Sequence, residues 1–327
     1  MKESPLFWPA YLKGDAIFVL DETLIPRKVH YIKVKNVRQA VKVIREMKTR
    51  AFGQFLLVLN TFLLELNKVG ATRRVAPTFG VILKRLAQTA HALNNSRPTF
   101  PFSEVTGIVL HWADTAVAQR IPLIPFLKKN INGFLMGIRL KRLQRIKDIA
   151  EIIQNGDHIL THCNVSGELA MAAAICRQQK KNVHFFATET RPYFQGSKLT
   201  AWELKKAGAP VTLVADNAVG SLLMDGLIDR VIIGSDRSCA NGDIANKIGS
   251  YQIAVVAKEF GVPLYVLTQP SNKVKKGEDI PIELRDPDEL LRFGDKKIIS
   301  GKVQGFYPGF DVVPHELIKK AITIHVN

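Results

Sequence analysis

Apolar positions change rhythm near residue 156 of this chain. Between Val37 and about Ile153 they return every three or four residues, as one face of a helix does. Val41, Val43, Ile44 and Met47 make one stripe, and Phe55, Leu56, Leu59, Phe62, Leu63 and Leu66 make another. The proline-bearing stretch 97–101 interrupts this region, and Pro122 and Pro125 divide it again. Beyond Gly156 come short apolar runs at 158–163, 182–188, 210–216, 230–236 and 263–269, with helix-like segments between most of them. Strand and helix alternating at this spacing predict a parallel, doubly wound sheet. Ahead of the helices, 15–21 reads as a strand with Pro26 as a breaker soon after, so residues 1 to about 30 form a β-rich lead-in. The expected fold is α/β. A mainly helical N-terminal domain, 1–155, follows the short lead-in, and a Rossmann-like parallel sheet fills 156–327.

The chain of 327 residues has room for one large or two modest cores, and 46% hydrophobic with 23% charged residues is an ordinary globular balance. The most apolar window, 52–66, is broken by Gly53, Gln54, Asn60 and Glu65 and is too short to span a bilayer. The first ten residues lack the basic start and long apolar run of a secretory signal. Three cysteines, an odd count in a long chain, are expected to be reduced thiols in a cytoplasm. The net charge of +17 is the unusual bulk property, and it is concentrated. Between Asp114 and Asp148 lie eight basic residues and no acidic one, five of them within 139–147. Nucleic acid or an anionic membrane surface could use such a stripe. The alternative is a solvated helix face, because Leu140, Leu143, Ile146 and Ile149 recur at helical spacing.

Neither a G-x-G-x-x-G nor a G-x-x-x-x-G-K-[ST] sequence follows any of the five apolar runs, so the usual dinucleotide and P-loop fingerprints are missing. His158 and His162 are four apart, which on a strand places them at opposite ends of one face, too distant to share an ion. No metal ligand set is read. The strand ends carry the chemistry instead, because an open parallel sheet binds its ligands beyond the carboxyl ends of its strands. Cys163 stands where the first run gives way to a helix, and a helix N-terminus there favours the thiolate. A packed structural cysteine is the plain alternative, and it is how Cys176 and Cys239 are read. Asp236 ends the run 230–236, where partial desolvation can keep a carboxyl protonated as a general acid; a turn cap is the alternative. Asn246 and Lys247 fall at an expected helix start, able to hold a hydroxyl and a phosphate. In the loop after 182–188, Gln195 is the polar finger, and Arg191 either binds an anion or pairs with Glu189 or Asp216.

These segments resemble a known family. The residues Thr161-His162-Cys163-Asn164, 189–204, Gly234-Ser235-Asp236-Arg237, 241–249 and 280–287 are similar to those of S-methyl-5-thioribose-1-phosphate isomerases. The fold is shared by ribose-1,5-bisphosphate isomerases and by regulatory subunits of the initiation factor that exchanges guanine nucleotide. The likeness also takes in the opening 20–26 and the closing 306–314. It implies Cys163 and Asp236 as catalytic residues, and Arg50, Arg97, Gln195, Asn246 and Lys247 as substrate contacts, with Ala51 and Phe52 beside Arg50. It implies a homodimer acting on a small sugar phosphate without metal or organic cofactor. The cysteine–aspartate pair favours an enzyme over a non-catalytic sensor of the initiation-factor kind. The implied reaction is the aldose–ketose isomerisation of a ribose-type 1-phosphate, by either proton or hydride transfer.

Three departures mark this chain. The family's Arg-Gly-Ala loop stands here as Arg50-Ala51-Phe52-Gly53, which removes a glycine where backbone could approach a phosphate. The segment from Cys163 to Glu189 is shorter than expected of these isomerases, and a basic helix stands near 139–147 where an acidic one is expected.

Overall fold

A computed structural model describes residues 3–71, 78–97, 100–269 and 273–324. The chain divides into two compact units, Pro5–Leu140 and the remainder from Lys141 on together with the first residues. The division falls inside a helix rather than after it, whereas the sequence limits run 1–155 and 156–327.

The first unit opens on three antiparallel strands, β1 (Ala10–Lys13), β2 (Ala16–Leu20) and β3 (Tyr31–Val34), in the order β1-β2-β3. This is the expected β-rich lead-in. Four helices follow, α1 (Val37–Arg45), α2 (Ala51–Ala71), α3 (Phe79–Asn94) and α4 (Phe102–Ala118), and then the long α5 (Leu123–Ile152), in which the division falls. Asn36 starts α1 by accepting the Gln39 N–H at 2.9 Å, an N-cap typical of its residue type. Helix α2 is buried on nearly every side from Gln54 to Leu66, and Leu56, Leu59 and Phe62 are fully enclosed. Its polar residues are satisfied in place. Asn60 donates to the Leu56 carbonyl at 2.8 Å and accepts the Leu12 N–H at 3.1 Å, and Thr61 donates to Leu57 at 2.7 Å. The polar residues that break the apolar window are therefore core anchors. Among the described residues no helix is long and apolar enough to cross a membrane.

The second unit carries the parallel sheet. Its strands, with the helices between them, are β4 (His158–Thr161), α6 (Glu168–Gln178), β5 (His184–Thr188), α7 (Trp202–Lys206), β6 (Val211–Val214), α8 (Val219–Met224) and β7 (Arg230–Gly234). Then come β8 (Arg237–Ser238), β9 (Ile244–Lys247), α9 (Ser250–Glu259), β10 (Leu264–Thr268), a hairpin of β11 (Arg292–Phe293) and β12 (Lys296–Lys297), β13 (Phe310–Val313) and β14 (Lys320–Thr323). The main sheet runs β14-β10-β7-β4-β5-β6, parallel throughout. All five expected strands are present. The sixth, β14, escaped the pattern because it is a short edge strand with two exposed residues at its start.

Two sequence expectations are corrected. Residues 243–249 do not start a helix. Ile244–Lys247 is a strand, paired antiparallel with Phe310–Val313 and with Arg237–Ser238, and α9 begins only at Ser250. Pairing partners decided the state of a segment whose own propensity is weak. The basic stretch of α5 is not one solvated face. Arg142 and Arg145 are buried against Glu168: Arg142 Nε donates to it at 2.5 Å, and Arg145 donates twice at 2.6 Å. Arg139 lies over Phe7 and Trp8 at 5.4 and 5.3 Å. Leu140 is 59% exposed and leaves the apolar stripe, while Ile146 and Ile149 are buried in it.

Candidate active site

From β4 the chain moves to β5 and β6 on one side, then returns to lay β7, β10 and β14 on the other. Strand order therefore reverses between β4 and β7, and a crevice opens beyond their carboxyl ends at such a switch point. Cys163 follows β4 and Asp236 follows β7, so neighbouring strands deliver the thiol and the carboxylate to that edge.

Cys163 is not in the first turn of a helix, as expected from sequence. Helix α6 begins at Glu168 after Gly167, so Cys163 lies outside its first turn, beyond the reach of its macrodipole. Cys163 instead occupies a tight turn with φ of 62°. Its N–H donates to Thr190 Oγ1 at 3.0 Å and its carbonyl accepts Thr200 Oγ1 at 2.5 Å. Asn164 completes the turn, accepting the Ser166 N–H at 2.9 Å and donating to Glu203 at 2.7 Å. Ser166, Thr190 and Phe194 also have positive φ, at 51°, 63° and 59°. Four non-glycine residues in left-handed backbone thus lie in the loops after β4 and β5. Strain of this kind gathers at functional edges, held by surrounding bonds.

His162 is buried and explained by structure. Its Nε2 must donate to the Ile248 carbonyl, 2.9 Å away, so Nδ1 accepts from Thr188 Oγ1 at 2.7 Å. Burial holds its pKa down, which agrees with a neutral ring locked in one tautomer. His158 packs against His184 and Phe186 at the other end of β4.

Asp236 is half-buried, and its N–H donates to Ala245 of β9 at 2.9 Å. That pairing sets Asn246 and Lys247 beside it. The carboxylate that caps the following turn is Asp243, which accepts the N–H groups of Gly277 and His315 at 2.9 Å. Asn246 donates to Ser250 at 2.8 Å, and Lys247 sends its ammonium to the Gly309 carbonyl at 3.0 Å, over the ring of Phe310. Both are buried.

Gln195 stands at the entry to a π-turn, Gly196–Ala201, which runs on into α7. Its side chain is 4% exposed, and its Oε1 has no hydrogen-bond partner among the described residues. Gly196 is required here: a Cβ would meet the Thr188 carbonyl oxygen at 1.7 Å. Tyr193, on the same loop, lies 5.8 Å under the Lys247 ammonium, which brings this loop to β9. The Arg191 guanidinium forms neither expected ion pair. It lies over Phe194 and donates to Leu290 and Arg292 carbonyls, while Asp216 takes the backbone N–H groups of Thr190 and Arg191.

Arg50 and Arg97 belong to the first unit, where one network holds both. Gln54 accepts from Arg97 at 3.2 Å and donates to the Thr49 carbonyl at 2.9 Å. Thr49 donates to Glu22 at 2.6 Å, and Glu22 also accepts the Arg50 N–H at 3.1 Å. Burial raises the Glu22 carboxyl pKa despite the lowering effects of Thr49 and Arg50. Pro98 and Thr99 of the Ser-Arg-Pro-Thr segment lie outside the described residues. Ala51 is the first residue of α2, so the positive φ that glycine would offer is not used at that position. The glycine that matters is Gly53, where a Cβ would meet Thr49 Oγ1 at 1.9 Å. Phe52 packs edge-on to Trp8 and stacks on Phe55. Ala51→Gly is accordingly expected to lower stability by up to about 1 kcal/mol through lost helix propensity. Urea unfolding of the two proteins checks this, and an increase in stability would contradict the helical account.

Sequence reasoning missed Asp311 and Tyr307, both inside the closing segment that carried part of the family likeness. Asp311 pairs in register with Asn246 and accepts the Gly249 N–H at 2.8 Å. Burial raises its carboxyl to about 6, against the N–H groups at the start of α9.

The profile of the Initiation factor 2 subunit family matches residues 63–324. A methylthioribose-1-phosphate isomerase of Thermosipho africanus is 36% identical, over 95% of this chain and 91% of its own length. One from Desulforudis audaxviator is also 36% identical, over 96% and 92%. Among solved structures, a 5-methylthioribose 1-phosphate isomerase from Pyrococcus horikoshii superposes with a TM-score of 0.83 at 26% identity, covering 99% of this chain and 93% of that one. The delta subunit of initiation factor eIF-2B from A. fulgidus gives 0.76 at 27% identity, over 97% and 94%.

Proposed function

The chain belongs to the Initiation factor 2 subunit family, and from that premise we propose that it is an aldose–ketose isomerase converting S-methyl-5-thioribose 1-phosphate to the corresponding S-methyl-5-thioribulose 1-phosphate. The observation that carries this is that the neighbouring strands β4 and β7 end in Cys163 and Asp236 at the switch point of the sheet, with the Asp236 N–H bonded to Ala245, next to Asn246 and Lys247. The phosphate on C1 blocks spontaneous ring opening, so an acid must protonate the ring oxygen. We assign this to Asp236, at the rim of the buried run Val231-Ile232-Ile233. As the C1–ring oxygen bond breaks, that oxygen takes the proton and becomes a hydroxyl. The hydrogen on C2 then moves to C1, and the C2 hydroxyl gives up its proton as C2 becomes the ketone, restoring the protonation of the enzyme. Cys163 is assigned to C2, as base or as stabiliser of a transferred hydride.

Lys247 is assigned to the phosphate, and Gln195 and Asn246 to sugar hydroxyls. Arg50, Ala51, Phe52 and Arg97 are substrate contacts on the family likeness alone. A homodimer and a cytoplasmic location are likewise proposals, the second resting on three free cysteines.

The test is turnover by the purified chain after chelation, with methylthioribose 1-phosphate, 5-deoxyribose 1-phosphate and ribose 1,5-bisphosphate offered separately. Ketose is expected from the first. Ketose from none of the three would place the chain with the non-catalytic members of its fold.

A further inference from the structure

The closing segment holds a tyrosine for which the chemistry above has no use. Tyr307 is 3% exposed, and its hydroxyl is buried with no hydrogen-bond partner among the described residues. The backbone around it is fixed. Its carbonyl accepts the Arg285 N–H at 2.8 Å, and Pro308 bridges to Leu284. Two residues on, the Gly309 carbonyl holds the Lys247 ammonium. The Tyr307 ring centroid is 6.4 Å from that of Tyr193, on the loop that carries Gln195. That same loop holds the Cys163 backbone, whose N–H donates to Thr190 Oγ1 at 3.0 Å. Tyr307 is thus placed among the side chains assigned to the substrate.

Its neighbour supplies the contrast. The Tyr193 hydroxyl donates to Glu289 at 2.5 Å and accepts from Arg285, so its bonds are taken up by the fold. The Tyr307 hydroxyl makes no such bond. A buried hydroxyl without a partner is destabilising, so packing alone gives no reason for it, whereas an oxygen of a bound ligand does. Burial first, and then the charges of Tyr193, Glu289 and Cys163, hold this phenol above its ordinary range. It therefore stays protonated, a donor in want of an acceptor.

We propose that the Tyr307 hydroxyl donates a hydrogen bond to the C2 oxygen of the sugar, the oxygen beside the carbon on which Cys163 acts. This rests on the isomerase reading. The C2 oxygen is the one that develops negative charge as its proton leaves, and a fixed, water-shielded donor is most effective on an oxygen of that kind. The phosphate oxygens call for cations, and Lys247 is there for them.

Tyr307→Phe removes the hydroxyl and no bond within the fold. Its kcat is expected to fall about 100-fold, the usual order for losing one preorganised donor, with KM within about threefold of wild type. The Tm should equal or exceed that of the wild type, because an unpaired polar group has been removed. A substrate analogue lacking the C2 oxygen should inhibit both proteins alike. Turnover by the variant equal to that of the wild type, or a lower Tm with kcat unchanged, would make the hydroxyl structural and overturn the proposal. So would weaker inhibition of the variant by the 2-deoxy analogue. Absence of turnover in the wild type itself overturns the isomerase reading, and this proposal with it.

Discussion

Cys163→Ala and Asp236→Asn each lower kcat by about 10²–10⁴ while substrate binding stays within a few-fold, if the two groups act as assigned. Each variant is close in size to the residue it replaces. The Cys163 turn is held by backbone bonds to Thr190 and Thr200, and the Asp236 N–H bond to Ala245 does not involve the side chain. Both folds should survive the exchange. Steady-state turnover together with direct binding of the unreacted sugar phosphate separates the two effects. Combining the substitutions should cost far less than the product of the single losses, because groups that act on one transition state are not independent. Near-wild-type turnover in Cys163→Ala would make the thiol a packing residue, as Cys176 and Cys239 are.

The second large effect is on stability. Glu168 is enclosed between Arg142 and Arg145, and those arginines also donate to the Ser166 and Thr268 carbonyls at 2.8 and 2.7 Å. Burial alone would raise the Glu168 pKa, but the two guanidiniums together outweigh it and hold the carboxyl below its ordinary value of 4.5. Glu168→Gln removes the carboxylate that both buried guanidiniums share, and about 3–5 kcal/mol of unfolding free energy should be lost. That is a large part of the 5–15 kcal/mol typical of a folded domain. The sign with pH follows from linkage. A carboxyl whose folded pKa is depressed contributes its full stability above the unfolded value and loses it as pH falls through the folded one. The gap between wild type and Glu168→Gln should therefore be constant near neutrality and shrink below about pH 4.5. Urea unfolding of both proteins at several pH values measures it. A gap that does not change with pH would show that the carboxylate charge is not what stabilises the cluster. Because Arg142 also holds Ser166, near the Cys163 turn, apolar replacement of all three should restore stability more fully than turnover.

Periodicity was enough to place the helices of the first half and five of the six strands of the parallel sheet. A buried strand or an amphipathic helix writes its burial into the order of its own residues. The strand ends were legible for the same reason, because each apolar run stops where a polar residue emerges, and Cys163 and Asp236 are two such stops. Gln195 could be read from the loop between Pro192 and Gly196. What the local pattern could not hold was anything set by a partner distant in sequence. Ile244–Lys247 is a strand because Phe310–Val313 lies alongside it. The basic run in α5 is divided because Glu168 takes up Arg142 and Arg145 from it. Cys163 sits in a turn, not a helix, because Thr190 and Thr200 hold its backbone there.

The sequence by itself determined the class of fold and the polar residues, Cys163 and Asp236 among them, that end the strands at one edge of the sheet. Hydrophobic period and strand ends are properties of neighbouring residues. The tertiary structure alone decided which buried charges balance one another, which glycines allow close approach, and which polar groups are left without partners. Those are relations between residues far apart in the chain, and only packing brings them within bonding distance.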